Sequence, residues 1–271
     1  MKKVLVIVVA YNGMRWLERC LGSVFAEADV FVVDNDSTDG SADVLKEHDK
    51  DITYWVSEKD SGIYNAMNKG IRRATGDYLN FMNSGDCFYD EGVLQRVSQV
   101  VGEASKLCGV YDIIVGRDYH YSEELHQGHA SIQPPRVTMM HFFMATLDHQ
   151  SSFIRRELFD GSPYREDFRL VSDWIFFTEQ IVSKGRRVYF IPDIVCRREE
   201  GGLSEQQRER NRKEINQWLH QYLPQGIYDD YATLAQLDKT SLYRLFDICE
   251  NDKKRKALTW CIKIINKLFH S

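Results

Sequence analysis

The pattern of apolar and polar residues changes period several times over the first 90 positions. Residues 4–9 are an unbroken apolar run, Val4-Leu5-Val6-Ile7-Val8-Val9, short enough for a fully buried strand. Over 14–25 the apolar residues shift to helical spacing, with Trp16, Leu17, Cys20, Leu21, Val24 and Phe25 in register. A strand at 30–33 and a short helix at 41–47 follow, with Ser41 placed to cap the helix. Then come a strand at 52–56, a helix at 63–74 with Ile63, Met67, Gly70, Ile71 and Ala74 on one side, and a strand at 77–82. Strands alternating with helices predict an α/β fold, a mostly parallel sheet covered on both faces.

The middle of the chain is less regular. Residues 110–115, 117–121, 152–154 and 187–191 read as strands, 172–183 as an amphipathic helix, and Pro134-Pro135 interrupts what lies between. After Gly201-Gly202 the pattern is helical, over 205–222, 240–249 and 253–269. This predicts a domain over 1–204 and a helical extension over 205–271. No internal repeat is evident.

Composition narrows the class. A chain of 271 residues, 43% apolar and 28% charged, suits a soluble protein with one large core and at most a small appendage. The first apolar run is followed by Tyr11-Asn12-Gly13 where a signal peptide needs small cleavage-site residues, so it reads as a strand. Six cysteines are scattered without a C-x-x-C pair, which predicts a reducing cytosol and argues against a disulfide framework or a zinc knuckle.

Net charge is −5, unevenly spread: residues 251–271 carry six basic side chains against Asp252, leaving −10 on the remainder. An acidic body argues against a nucleic-acid partner, while the basic tail predicts contact with something anionic. As a helix, 253–269 places Leu258, Cys261, Ile262, Ile265, Leu268 and Phe269 on one face, flanked by Trp260 and Ile264. That is the pattern of a peripheral contact with an anionic membrane, or of a helix packed on protein.

Candidate chemistry gathers where the first four strands end, because a parallel sheet aligns those ends along one ligand-binding edge. The segments are Tyr11-Asn12, Asp34 to Gly40, Ser57-Glu58-Lys59-Asp60-Ser61-Gly62, and Asn83-Ser84-Gly85-Asp86. Neither G-x-G-x-x-G nor a P-loop follows the first strand, so a nucleotide would be held chiefly by side chains. Tyr11 is suited to stack on a base, Asp34 or Asp36 to accept from a base N–H or ribose hydroxyls, and Asp86 to ligate Mg²⁺ or Mn²⁺ with diphosphate oxygens. An Asx-rich turn capping the next helix would equally explain residues 34–40 taken alone. His126 and His129 lack a nearby third ligand and read as a solvated loop. Lys59, Arg197 and Arg198 are candidates for the diphosphate, and His149 for the diphosphate or the acceptor.

These segments, in this order, resemble the family 2 glycosyltransferases with the GT-A fold. Val6-Ile7-Val8-Val9-Ala10-Tyr11-Asn12 and Val33-Asp34-Asn35-Asp36-Ser37-Thr38-Asp39-Gly40-Ser41 are similar to the family's opening. The block from Ser57 through Gly62, Asn65 and Asn68 to Ile71 resembles the branch that builds bacterial surface polysaccharides. In that branch Ser84-Gly85-Asp86 matches a serine–glycine–aspartate that replaces D-x-D. Asp148-His149-Gln150-Ser151, Ser172-Asp173-Trp174 and Gly201-Gly202-Leu203-Ser204 match further segments, so the likeness covers about residues 4–204.

The resemblance implies a metal-dependent inverting enzyme using a nucleoside diphosphate sugar, UDP first and GDP or dTDP after it. Asp173 aligns with the base that deprotonates an acceptor hydroxyl, with Ser172 expected to cap its helix. The implied acceptor is a saccharide, lipid-linked, at the inner face of the cell membrane. A sugar nucleotidyltransferase and a non-catalytic nucleotide-sugar binder are the competing readings. Asn35 stands where many members have a second aspartate, which moves base recognition toward Asp34 or Asp36. Loss of the first D-x-D carboxylate leaves Asp86 alone, which implies weak metal affinity without the donor.

Overall fold

A computed structural model describes residues 4–25, 28–108, 111–199, 201–202, 206–236 and 239–269. Four parallel strands lead: β1 (Val4–Ala10), β2 (Asp29–Asp34), β3 (Tyr54–Ser57) and β4 (Tyr78–Asn83), in the order β3-β2-β1-β4. Helices α1 (Met14–Gly22), α2 (Ser41–Glu47) and α3 (Ile63–Arg73) make the crossovers. The apolar runs of β1 and β2 are buried almost throughout, as strands covered on both faces must be. Gly70 brings α3 close to the sheet, since a Cβ there would come within 2.6 Å of Ile7.

The rest of the sheet is mixed. It comprises β5 (Cys87–Phe88), β6 (Ile113–Ser122), β7 (Gln127–Ala130), β8 (Ser152–Arg155) and β9 (Val188–Glu199). Strand β8 runs antiparallel to both β4 and β6, while β9 runs parallel to β6 and antiparallel to β5. The two short strands expected over 110–121 are one long strand. Its register shifts on either side of Arg117, and Gly116 accepts the close approach of Val195. Pro192 likewise does not end β9, which continues to Glu199. Helix α4 (Val93–Cys108) and strand β7, which carries His129 where a loop was expected, are further elements of this region.

Two serine caps are corrected. Both Ser41 and Ser172 are the first helical residues rather than caps, preceded by Gly40 at φ 101° and by Val171. Asp39, just ahead of the Gly40 cap, holds the first turn of α2, its Oδ1 accepting from the Ser41 backbone N–H at 3.0 Å. Helix α6 (Ser172–Thr178) is extended by a π turn over Glu179–Ser183.

The chain divides into two compact units, residues 1–134 with 146–218, and residues 135–145 with 219–271. The division falls inside α7 (Arg208–Tyr222); in the first unit Trp218 meets Trp174 edge-on at 5.2 Å. In the second unit, α5 (Met139–Met144) sets Phe143 against Tyr228 and Tyr231 of α8 (Gln225–Leu234). Helices α9 (Lys239–Glu250) and α10 (Asp252–Phe269) complete the helical C-terminal segment. No helix among the described residues is long and apolar enough to cross a membrane.

Candidate active site

The ends of β1 to β4 do meet at one sheet edge. In register, Ala10 pairs with Asp34, Asp34 with Ser57, and Val9 with Asn83. Tyr11 leaves β1 with 64% of its surface exposed, free to stack on a planar ligand. Asn12, at φ 48°, is tied to the second loop: its N–H donates to Ser37 Oγ at 2.8 Å and its Oδ1 accepts from the Thr38 N–H at 2.9 Å. Asp36 also takes φ 48° and is exposed at the loop tip.

Two residues expected at the ligand are engaged in internal hydrogen bonds. Asp34 is fully buried, its carboxylate accepting from the Ser37 N–H and hydroxyl and from Ser57 Oγ. Asn68 is 2% exposed, its amide donating to Tyr164 O and Glu166 Oε1 and accepting from the Tyr164 N–H. Asp34 ties the loop after β2 to the end of β3, and Asn68 ties α3 to the segment around Tyr164. Asn65 donates to the other Glu166 oxygen at 2.8 Å, which makes Glu166 a shared anchor that local sequence does not advertise. Gly62, at φ 143°, adopts backbone that a side chain rarely accepts, and Lys59 beside it is exposed.

Asp86 follows β4 in a tight turn and is 7% exposed. Its Oδ2 accepts from Asn83 Nδ2 at 3.2 Å and Gln150 Nε2 at 2.9 Å, whereas Oδ1 has no hydrogen-bond partner among the described residues. The turn is clamped from outside: Arg19 donates to Gly85 O at 2.9 Å and pairs with Glu199 at 2.9 Å. Gly13 lies directly against Ser84, where a Cβ would collide with the serine hydroxyl. One oriented carboxylate with a free oxygen suits a hard divalent ion whose remaining ligands are diphosphate oxygens and water.

Asp173 sits in the first turn of α6. Tyr64 donates its hydroxyl to Oδ1 at 2.6 Å, and His149 Nδ1 lies 2.7 Å from Oδ2. Burial pushes this carboxyl up, but hydrogen bonding and charge from His149, then Tyr64 and the Trp174 N–H, leave it below the usual carboxylate range. Burial and the adjacent anion push the Tyr64 phenol well up, so it stays a donor.

A second polar cluster adjoins these groups. Asp118, His120 and Asp148 bring ligand-type atoms within 4.8 Å of one another. Arg198 is ion-paired with Asp148, and Arg197 packs over the Tyr121 ring and pairs with Glu199. Burial and the Asp148 charge push Asp118 well up, whereas the Arg198 charge overrides burial and holds Asp148 down. Fixing a guanidinium on one of the three groups opposes a divalent ion there, so Asp86 is the better-suited ligand.

The sequence profile of glycosyl transferase family 2 matches residues 5–161. The chain belongs to glycosyltransferase family 2. A PGL/p-HBAD biosynthesis glycosyltransferase of Mycobacterium tuberculosis is 27% identical to it over 179 residues, 63% of this chain and 66% of that protein. This chain therefore spans just under two thirds of that relative. Glycosyltransferase GlyA of Streptococcus pneumoniae is 30% identical over 128 residues, covering 45% of this chain and 17% of GlyA.

Among solved structures, residues 1–349 of S. aureus TarS superpose with a TM-score of 0.59 at 19% identity, covering 84% of this chain and 69% of that one. Pyrobaculum calidifontis mannosyltransferase PcManGT, solved with GDP-Man and Mn²⁺, gives 0.57 at 20% identity over 79% of this chain and 62% of that one. These likenesses establish the GT-A fold expected from the sequence. Of the family 2 motifs, Leu203 and Ser204 lie outside the described residues. Glu166 and Arg19 joined the site only through the structure, as did the contacts of Tyr64 and Gln150, since each partner is distant in sequence.

Proposed function

We propose that this family 2 member is an inverting glycosyltransferase that moves a sugar from a nucleoside diphosphate sugar, with UDP preferred, to a lipid-linked saccharide of a cell-surface polysaccharide. The observation that carries this reading is the pair of oriented carboxylates bridged by the adjacent residues His149 and Gln150, Asp86 with a free oxygen and Asp173 as a buried anion. UDP and UDP-GlcNAc bound to TarS, and GDP-Man with Mn²⁺ bound to PcManGT, support a nucleotide-sugar donor.

Tyr11 stacks on the base, while Asn12, Asp36 and Lys59 face the ribose and diphosphate, with Gly62 giving the backbone room. Ser84 and Gly85 shape the turn beside the phosphates, and Arg198 adds positive charge behind it. Asp173 takes the acceptor hydroxyl proton as that oxygen bonds the anomeric carbon from the face opposite the diphosphate, whose C–O bond breaks with its electron pair. Asp86 would hold a Mn²⁺ or Mg²⁺, which when bound would neutralise charge on the leaving diphosphate.

Helix α10 is the proposed membrane contact at the inner face of the cell membrane. Lys253 to Lys256 are exposed at its start, and Trp260 and Ile262 further along are 65% and 48% exposed. The side chains of Ile265, Leu268 and Phe269, expected on the same apolar face, lie outside the described set.

A thermal-shift screen of UDP-, GDP- and dTDP-sugars, with and without Mn²⁺, tests the donor assignment. A shift from a nucleotide sugar that grows with Mn²⁺ is expected, and indifference to all of them defeats it. Pyrophosphate release from a nucleoside triphosphate and a sugar phosphate would select a nucleotidyltransferase instead.

A further inference from the structure

We infer that the adjacent residues His149 and Gln150 are a positioning pair that sets the separation between Asp173 and Asp86, with Tyr64 completing the clamp on Asp173. This rests on the roles proposed above for the two carboxylates. In the His149–Ser151 turn the two neighbouring side chains diverge, His149 to Asp173 at 2.7 Å and Gln150 to Asp86 at 2.9 Å. Two consecutive residues thus reach both carboxylates that the proposed reaction requires.

The turn is fixed on several sides. Asn80 of β4 donates to Gln150 O at 2.8 Å and to Ser152 O at 3.1 Å. Ser152 Oγ donates to Asp148 O at 2.7 Å, and Ser151 Oγ to Asp118 of β6 at 3.2 Å. His149 and Gln150 are 9% and 3% exposed, leaving little rotamer freedom. The Asp173 oxygens are held from two separate elements, α3 through Tyr64 and the turn through His149. His149 Nε2 is buried without a hydrogen-bond partner among the described residues, so the contact this side chain makes is the one to Asp173.

An in-line displacement needs the base on one side of the anomeric carbon and the diphosphate anchor on the other. An error of about 1 Å between them costs on the order of 100-fold in rate. A spacer of two adjacent residues on a rigid turn holds that distance more closely than independent loops. It also makes His149 a positioning residue for Asp173 through Nδ1.

The test splits the two ends. Nucleoside diphosphate release is measured with UDP-glucose, UDP-galactose, UDP-GlcNAc, GDP-mannose and dTDP-rhamnose in excess Mn²⁺, water serving as acceptor. With whichever donor the wild type hydrolyses, His149→Ala and Tyr64→Phe should each lower turnover about 10- to 100-fold while donor affinity stays within about twofold. Gln150→Ala should instead weaken Mn²⁺-dependent donor binding about 10- to 100-fold. His149→Asn, which keeps a donor where Nδ1 stood, should recover most of the turnover lost in His149→Ala.

Turnover and donor affinity falling together in all variants would overturn the inference, as would failure of His149→Asn to recover. A readout that needs no substrate keeps it testable on its own. In ¹³C-carboxyl NMR titrations, with Asp173→Asn for assignment, His149→Ala and Tyr64→Phe should each raise the pKa of Asp173 in the free protein. An unmoved Asp173 resonance would overturn the clamp. A wild type that hydrolyses no donor would count against the glycosyltransferase reading, leaving the NMR result to decide the clamp.

Discussion

Residues 4–88 and residues 111–199 contribute to one sheet, yet they are put together by different means. In the first stretch the ends of β1, β2 and β3 are carried to the edge by the βα units they belong to, and their loops bond mainly to the next loop along it. Asp34 with Ser37 and Ser57 is the pattern. In the second stretch the strands reverse direction, β6 carries a bulge, and function-bearing side chains are fixed by partners far along the chain. Tyr64 reaches Asp173 across 109 positions and Gln150 reaches Asp86 across 64. A nucleotide-shaped edge can thus be built from local repetition, whereas the reacting centre needs non-local hydrogen bonds.

The comparison is broken most severely at Asp173. Asp173→Asn should lower transfer by on the order of 10³-fold while donor binding by calorimetry stays nearly unchanged; joint loss of both would make the residue structural. Next comes Asp86→Ala, expected to weaken Mn²⁺-dependent donor binding about 10- to 100-fold, with an unaltered metal response counting against its role.

Asp34→Ala probes the other region and should act on stability. Removing a buried acceptor from three donors costs about 2–3 kcal/mol, or roughly 5–10 °C in Tm by calorimetry. A Tm within a degree of wild type would show that Asp34 is no strut. Smaller still is Asp39→Ala, which loses the hydrogen bonds to the Ser41 and Met14 N–H groups at about 1 kcal/mol, or about 2–4 °C.

Acid sharpens the contrast. The folded-state pKa of Asp173 lies below its unfolded value, so its contribution to stability is present above about pH 4. That contribution drains away as pH falls through the lower, folded-state value. In acid unfolding curves, the stability gap between wild type and Asp173→Asn should therefore narrow toward low pH, and a gap that widened would reverse the assignment.

The same division governs what could be read from residues alone. The first four strands and three helices were legible because apolar period changes cleanly from run to helix and back. Beyond them, Gly116-Arg117 split β6 into two expected strands and Pro192 cut β9 short, since a bulge and a proline look like breaks until a partner strand is present. Asp86 and Asp173 stood out as carboxylates at a strand end and a helix start. What sequence could not reveal was occupancy. Asp34 looked available until Ser37 and Ser57 were seen to use its oxygens, and Asn68 until Tyr164 and Glu166 did. Gln150 was marked only as part of a matching segment, and its contact with Asp86, 64 positions away, was not visible.

The packing of Gly13 against Ser84 bears on how this site can diversify. Position 84 is where a two-carboxylate motif would carry its first aspartate, yet the space beside it is already taken by the backbone of the turn after β1. Any side chain at 13 would meet the Ser84 hydroxyl and require position 84 to give way. The turns after β1 and β4 are thereby coupled: a side chain can enter at 13 only with a change at 84.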